Sequence, residues 1–271
     1  MTLAVNIAQG GSNNVTFRNK IINGAMVIDQ RNAGASVALN SDEKYITDRF
    51  IARASNSTSS TAIRSTTTAT GFKNSLLITI GTGATASGSN YIQQKIEGLN
   101  VYDLNWGSAS AATVTLSFWV RSSLTGTFGG ALQNSAYSYS YPFTYSISVA
   151  NTWTQISVTI AGPTAGTWIG ATNGTGIRVI FSLGAGSTFS GTAGSWSANQ
   201  YWSATGATSV VGTSGATFYI TGVQLEAGTT ASDFEFLPVD VNLERCFRYY
   251  YKEFPGSGKT FGASVYATSG T

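Results

Sequence analysis

Alternation of apolar and polar residues with a period of two runs through most of this chain, and any fold must satisfy it. In TVTLSFWVR (113–121), Val114, Leu116, Phe118 and Val120 share one parity, while Thr113, Thr115, Ser117, Trp119 and Arg121 share the other. WTQISVTI (153–160) alternates Ile156, Val158 and Ile160 with Ser157 and Thr159. IRVIFSL (177–183) sets Ile177, Val179, Phe181 and Leu183 against Arg178, Ile180 and Ser182. Successive side chains leave a strand on opposite faces, so these segments are strands with one face buried. YITDRFIAR (45–53), SLLITIG (75–81), YIQQKIEG (91–98) and ATFYITGVQL (216–225) read the same way. Turns rich in Gly, Ser, Thr and Asn separate them, and helical periodicity is nearly absent. The pattern predicts an all-β, antiparallel jelly-roll β-sandwich of roughly ten strands.

Three segments interrupt the rhythm. Residues 1–30 read as an N-terminal arm and lead-in strand. Residues 184–216 are rich in Gly, Ser, Thr and Ala, yet hold Trp196, Tyr201 and Trp202. A disordered linker seldom carries such aromatics, so this reads as a long packed loop. Residues 240–251 hold one short C-terminal helix, with Asp240 as cap, a stripe of Leu243, Cys246, Phe247 and Tyr250, and a Glu244–Arg248 pair. The expected organisation is an arm and lead-in strand (1–30), a jelly-roll sandwich (31–238), and a helix with a C-terminal tail (239–271) that reads either as the start of a further β part or as a segment docked on the sandwich or a partner.

Several chemistries are excluded by what the residues lack. FPGSGKTFGASVY (254–266) mimics the end of a phosphate-binding loop, but Glu253 stands where such a loop needs glycine, and TFGASVY is not helix-forming. A Gly-rich turn between strands is the expectation there. GTGATASG (81–88) lacks the helix that a dinucleotide site requires. The chain has no histidine and one cysteine, Cys246, so histidine triads, zinc clusters and intrachain disulfides are out of reach. No Asp or Glu occurs from Leu104 to Leu225, which leaves little for paired-carboxylate catalysis. A pair such as Glu97 with Glu226 is what neighbouring end strands could bring together, but each reads as a solvated carboxylate at a strand end. SDEKYITD (41–48) is the acid-dense patch, read as solvated strand ends rather than a metal site. The expectation is a non-enzyme with no cofactor and no metal. Net charge is +3, but the basic residues are scattered, so nucleic acid is not expected as a partner. No apolar run spans a membrane, and the start MTLAVNIAQGGSNN reads as no secretion leader.

Binding remains. Charged residues make up 10% of the chain, against about 25% in ordinary soluble domains, and hydroxyls and amides take their place. Tyr137, Tyr139, Tyr141, Phe143 and Tyr145 share a parity if their stretch is extended. Trp119, Trp153, Tyr91, Gln93, Gln155, Arg121 and Arg178 lie opposite the aliphatic rows. Aromatic faces beside amides and guanidinium groups suit sugars. The candidates for a glycan surface, or for a subunit interface, are Trp119, Tyr137, Tyr139, Tyr141, Trp153, Trp196, Tyr201 and Trp202.

The succession YIQQKIEGLNVYDL, ATVTLSFWVRSS, NTWTQISVTIAG, IRVIFSLGAG, GSWSANQYWSATG and GATFYITGVQLEAG resembles the jelly-roll domain of tail-fibre and other virion structural proteins of tailed bacteriophages. That domain is similar in plan to carbohydrate-binding modules. The likeness starts near IINGAMVIDQRN (21–32), passes YITDRFIA (45–52) and ends with FEFLPVDVNLERCFRYYYKEF (234–254). It implies a virion protein made in the host cytoplasm without a signal peptide. It further implies a non-enzymatic homotrimer, other virion proteins as partners, and a part in host attachment, without identifying a ligand; adhesion through a host-surface polysaccharide is a further expectation. A capsid decoration or head-fibre protein with a purely structural role is the alternative, and a polysaccharide-acting enzyme the second.

Overall fold

A computed structural model describes residues 17–252; the arm of residues 1–16 and the turn expected at 254–266 lie outside the described residues. Two six-stranded sheets face each other. The first has the order β1 (Val37–Ala38), β4 (Thr61–Ser65), β5 (Ser75–Thr79), β14 (Thr217–Ala227), β7 (Val114–Ser122) and β10 (Thr154–Ile160). The second has the order β2 (Lys44–Thr47), β3 (Phe50–Arg53), β6 (Ser89–Glu97), β11 (Thr175–Ala185), β8 (Gly126–Gln133) and β9 (Ser140–Ile147). Every neighbouring pair in both sheets is antiparallel. The connections β5–β6, β6–β7, β7–β8, β9–β10 and β10–β11 carry the chain from one sheet to the other, as the jelly-roll reading requires.

The core lies where alternation put it. Leu116, Phe118 and Val120 of β7 meet Val179, Phe181 and Leu183 of β11, all essentially sealed from solvent. Phe118 packs edge-on against Phe181 (4.9 Å between centroids) and Tyr145 (5.1 Å). Edge-to-face aromatic pairs of this kind add about 0.5–1.5 kcal/mol beyond area burial.

Strand β8, GTFGGALQ, escapes the alternation rule because two glycines replace side chains. A Cβ on Gly130 would stand 2.4 Å from the Ile180 carbonyl oxygen and from the Phe143 ring. One on Gly129 would meet Ser203 Oγ at 2.5 Å. Glycine here lets backbone and loop close onto the sheet.

Three expectations are corrected. YITDRFIAR is a tight hairpin, β2 and β3, not one strand: Arg49 takes a left-handed φ of 74° and Asp48 turns inward to accept from the Gln30 backbone N–H (3.0 Å). Residues 17–30 contain no strand, because Asn23 and Met26 (φ 60° and 57°) curl the chain so that Ile21 and Met26 plug the core. The helix, α1 (Val239–Phe247), starts behind Pro238, and Asp240 makes no capping bond. Cys246 anchors α1 against Ile22 and Ile28. Arg248 lies past the helix end and binds Glu97 rather than Glu244.

Candidate functional site

The outward face of the second sheet is built from the polar parity of its strands. Register sets Arg53, Tyr91 and Ser182 in one row. Ile51, Gln93, Ile180, Ala131 and Pro142 form the next. Lys95, Arg178, Gln133 and Ser140 form a third. The segment after β11 folds back across this face. Gln133 Nε2 donates to the Tyr201 carbonyl (2.5 Å), Ser140 Oγ to the Asn199 carbonyl (2.7 Å), and the Trp202 N–H to the Phe189 carbonyl (2.8 Å). The two-residue parallel pair β12 (Ser190–Gly191) and β13 (Ser203–Ala204) locks the segment to itself.

The result is an aromatic sandwich. Trp202 stacks on Tyr91 (4.6 Å, 10° between planes) and lies against Tyr137 (5.5 Å). Tyr137 covers the Arg178 guanidinium at 4.1 Å. A groove of about 430 Å³ opens beside the stack, lined by Glu43, Arg53, Ser89, Tyr91, Tyr137, Phe189, Gln200 and Trp202.

Tyr137 reaches this position through a strained turn. It holds φ 58°, which a bulky side chain seldom adopts. Asn134, fully buried, holds the turn: its Oδ1 accepts from the Ser138 and Tyr139 N–H groups, and its Nδ2 donates to Ser138 Oγ and the Thr167 carbonyl.

Polar satisfaction separates this face from the rest of the molecule. Ten buried side-chain polar atoms among the described residues have no partner within the protein, and six are here: Arg53 Nε, Gln93 Oε1, Gln133 Oε1, Arg178 Nε and Nη1, and Trp202 Nε1. Buried polar atoms are rarely left alone, because desolvating one without a bond costs about 1–3 kcal/mol. Of the residues that carry them, Arg53 and Trp202 line the groove, whereas Gln93, Gln133 and Arg178 lie on the same sheet face outside its lining.

Glu43 at the rim is already engaged. It accepts from Lys95 Nζ (2.6 Å), Tyr91 Oη (2.9 Å) and Gln93 Nε2 (2.5 Å). Burial alone would raise its pKa, but these bonds and the Lys95 charge outweigh it and hold the carboxylate below its usual range. Burial, with the Glu43 charge adding to it, pushes the Tyr91 phenol far up, so it stays a donor.

The eight aromatic candidates fall into separate places. Tyr137 and Trp202 are in the groove. Tyr139, Tyr141 and Trp196 join Trp106 and Trp168 in a cluster that packs on the core. There all three indole N–H groups are satisfied, by the carbonyls of Ala112, Ala165 and Ala161. The single row of tyrosines expected from parity does not exist. The turn at Tyr137 breaks the extension before β9, and Phe143 and Tyr145 point into the core. Tyr201 packs its ring on Gly191, where a Cβ would sit 2.2 Å away. Trp119 and Trp153 are half-buried on the other sheet, Trp153 against Tyr219 (6.0 Å). Of the residues named for position alone, Tyr91, Gln93 and Arg178 join the groove face; Glu43 was marked only as part of the acid-dense patch 41–48, and Arg53, Gln133 and Phe189 carried no site signal.

The carboxylates are tied up singly. Glu97 binds Arg248 and Tyr249, whereas Glu226 binds Ser232 and Arg18. Asp42, Glu43 and Asp48 turn to three different partners, Lys44, Lys95 and Gln30. Two other clefts, about 450 and 570 Å³, border Lys20 and Asp103, which neutralise each other at 2.7 Å.

No family profile matches the chain, and no curated protein matches it in sequence. Solved structures do resemble it. One is the enzymatically active domain of tailspike protein 4 from bacteriophage CBA120, at 12% identity and TM-score 0.39, covering 78% of this chain and 22% of that one. Another is a Bacteroides thetaiotaomicron protein assigned to sugar binding, at 13% identity and TM-score 0.41, covering 78% of this chain and all of the other. A third is a carbohydrate-binding module of type CBM4, at 16% identity and TM-score 0.39, covering 77% and 99%. The chain spans about a fifth of the tailspike structure.

Proposed function

We propose that this chain is a non-enzymatic bacteriophage tail-fibre component that attaches the particle to its host by binding a surface polysaccharide. The observation that carries the binding half is the groove on the second sheet, where a Tyr91–Trp202–Tyr137 stack adjoins six unpartnered polar atoms. Stacked rings accept the C–H faces of sugars, and the orphaned donors and acceptors take the hydroxyls. The virion half rests on the SFWVRS and FYITGVQLEAG blocks and on a surface kept soluble by hydroxyls rather than charge. Assembly as a homotrimer belongs to the same reading.

The purely structural alternative, a head-fibre or decoration protein, draws support from a different patch. Phe72, Phe234 and Phe236 contact one another on the outside of the first sheet, with Phe236 and Val239 exposed. Such a patch suits contact with another subunit.

A glycan array of bacterial surface polysaccharides tests the proposal, run beside light scattering on the purified chain. Retention of a glycan by the wild type, weakened in Trp202→Phe, is expected, together with a trimer mass. Silence across the array would refute adhesion and leave the structural reading. Turnover of any retained glycan would refute the non-enzymatic part.

A further inference from the structure

Only two charged residues occur between Leu104 and Leu225: Arg121 and Arg178. Arg121 is ordinary. It donates from Nε to the Asn151 carbonyl (2.8 Å) and lies over Tyr219 on the other sheet. Arg178 is placed in the middle of the groove-bearing sheet and is 7% exposed. Two of its nitrogens have no partner, and no carboxylate of the described residues lies within ion-pairing distance. The Tyr137 ring, which lines the groove, lies over its guanidinium at 4.1 Å, and its cross-strand partners are Lys95 and Gln133.

Burying an unpaired cation is costly, and proteins almost always answer it with an anion. The more exposed arginines of this protein make ion pairs: Arg64 with Asp29, Arg18 with Glu226, and Arg248 with Glu97. Arg49, buried like Arg178, donates to the Lys95 carbonyl and lies over Tyr249. At the groove, Arg53 makes no ion pair either: its Nε is orphaned, it bonds Ser89 Oγ (3.2 Å), and it lies near the Tyr91 phenol and within reach of the Asp42 charge. The one acid at the rim, Glu43, is spent on Lys95. The groove therefore has one arginine, Arg53, on its wall and a second, Arg178, under the Tyr137 ring that lines it, and neither makes an ion pair.

Building on the reading of this groove as a glycan site, we infer that its ligand is an acidic polysaccharide, with one anionic group bonded at Arg53 on the groove wall and a second drawn over Tyr137 by the unpaired charge of Arg178 beneath it. Neutral sugars would satisfy the orphaned N–H groups but leave both charges uncompensated. Register separates the two arginines by four residues along β6, about 13 Å, and by two strands across the sheet, about 10 Å. That spacing fits an extended chain with repeated anions better than one charged sugar. Carboxylate and phosphate supply the same chemistry, since either accepts charge-assisted bonds from guanidinium.

Calorimetric titration with three probes tests this: oligogalacturonate, the same oligomer fully methyl-esterified, and glycerol-phosphate teichoic acid. A neutral-glycan array is run alongside. Binding of either anionic probe, weakened at least about tenfold by esterification or by Arg178→Gln, supports the inference. The probe retained distinguishes carboxylate from phosphate. Arg53→Gln, at the rim, supplies the same test should Arg178→Gln fail to fold, and thermal melting checks both variants. Equal binding of ester and acid, retention of neutral glycans only, or unchanged affinity in folded Arg178→Gln and Arg53→Gln would overturn the inference and leave the glycan site standing. No binding of any probe, acidic or neutral, would overturn the glycan site itself.

Discussion

Replacing Glu97 by Gln should loosen the C-terminal helix at neutral pH and make no difference in acid. Glu97 stands at the end of β6 with its side chain almost wholly buried. It accepts from Arg248 Nε (2.8 Å) and Nη2 (2.5 Å) and from Tyr249 Oη (2.6 Å). Chiefly through the Arg248 hydrogen bonds, its pKa falls from 4.5 to about 2, although burial opposes the fall. At about 1.4 kcal/mol per tenfold change in protonation, that drop corresponds to roughly 3 kcal/mol. The Arg248 side chain is 54% exposed, so solvent screening reduces the contribution to about 1–2 kcal/mol. The depressed folded-state pKa fixes the sign. The stabilisation is complete above pH ~4.5 and is lost as pH falls towards about 2. Thermal melting of wild type and Glu97→Gln across that range should therefore show a gap of roughly 2–8 °C at pH 7 that shrinks to about a quarter at pH ~2.5 and closes below pH ~2. Hydrogen exchange over Val239–Phe247 should follow the same course. A gap that is the same at pH 7 and pH 2.5 would refute the reasoning, because it would mean that shape, not charge, was lost.

Other perturbations read other parts of the structure. Trp202→Ala removes the centre of the aromatic sandwich and should cost about 3–5 kcal/mol in urea unfolding, whereas Trp202→Phe should keep most of that stability. Gly130→Ala drives a methyl into the Ile180 carbonyl and the Phe143 ring and should lower stability by about 1–3 kcal/mol, visible as a fall in Tm. Burial chiefly, with the Asp48 charge assisting, pushes the Cys246 thiol up to about 12. It should resist iodoacetamide at pH 8 in the native protein and react once the chain is unfolded, as mass spectrometry would show.

The alternation in β7, β10 and β11 was legible because each strand has one greasy face and one polar face. β8 was not, since Gly129 and Gly130 leave gaps where the pattern needs side chains. The 45–53 hairpin was hidden because its turn uses Asp48 and Arg49, not Gly or Asn-Gly. For the site, parity alone placed Tyr91, Gln93 and Arg178 off the core. It failed for Tyr137, whose positive φ comes from an Asn134 network formed across loops.

What the residues determined by themselves was the architecture: period-two patterning can be satisfied only by pleats with a shared interior, and that follows from local geometry. Which aromatics would meet, which indole would keep a free N–H, and which arginine would be sealed without an anion were decided only when the segment after β11 folded back across the second sheet. Those relations join positions far apart in the chain, and no local pattern encodes a contact of that kind.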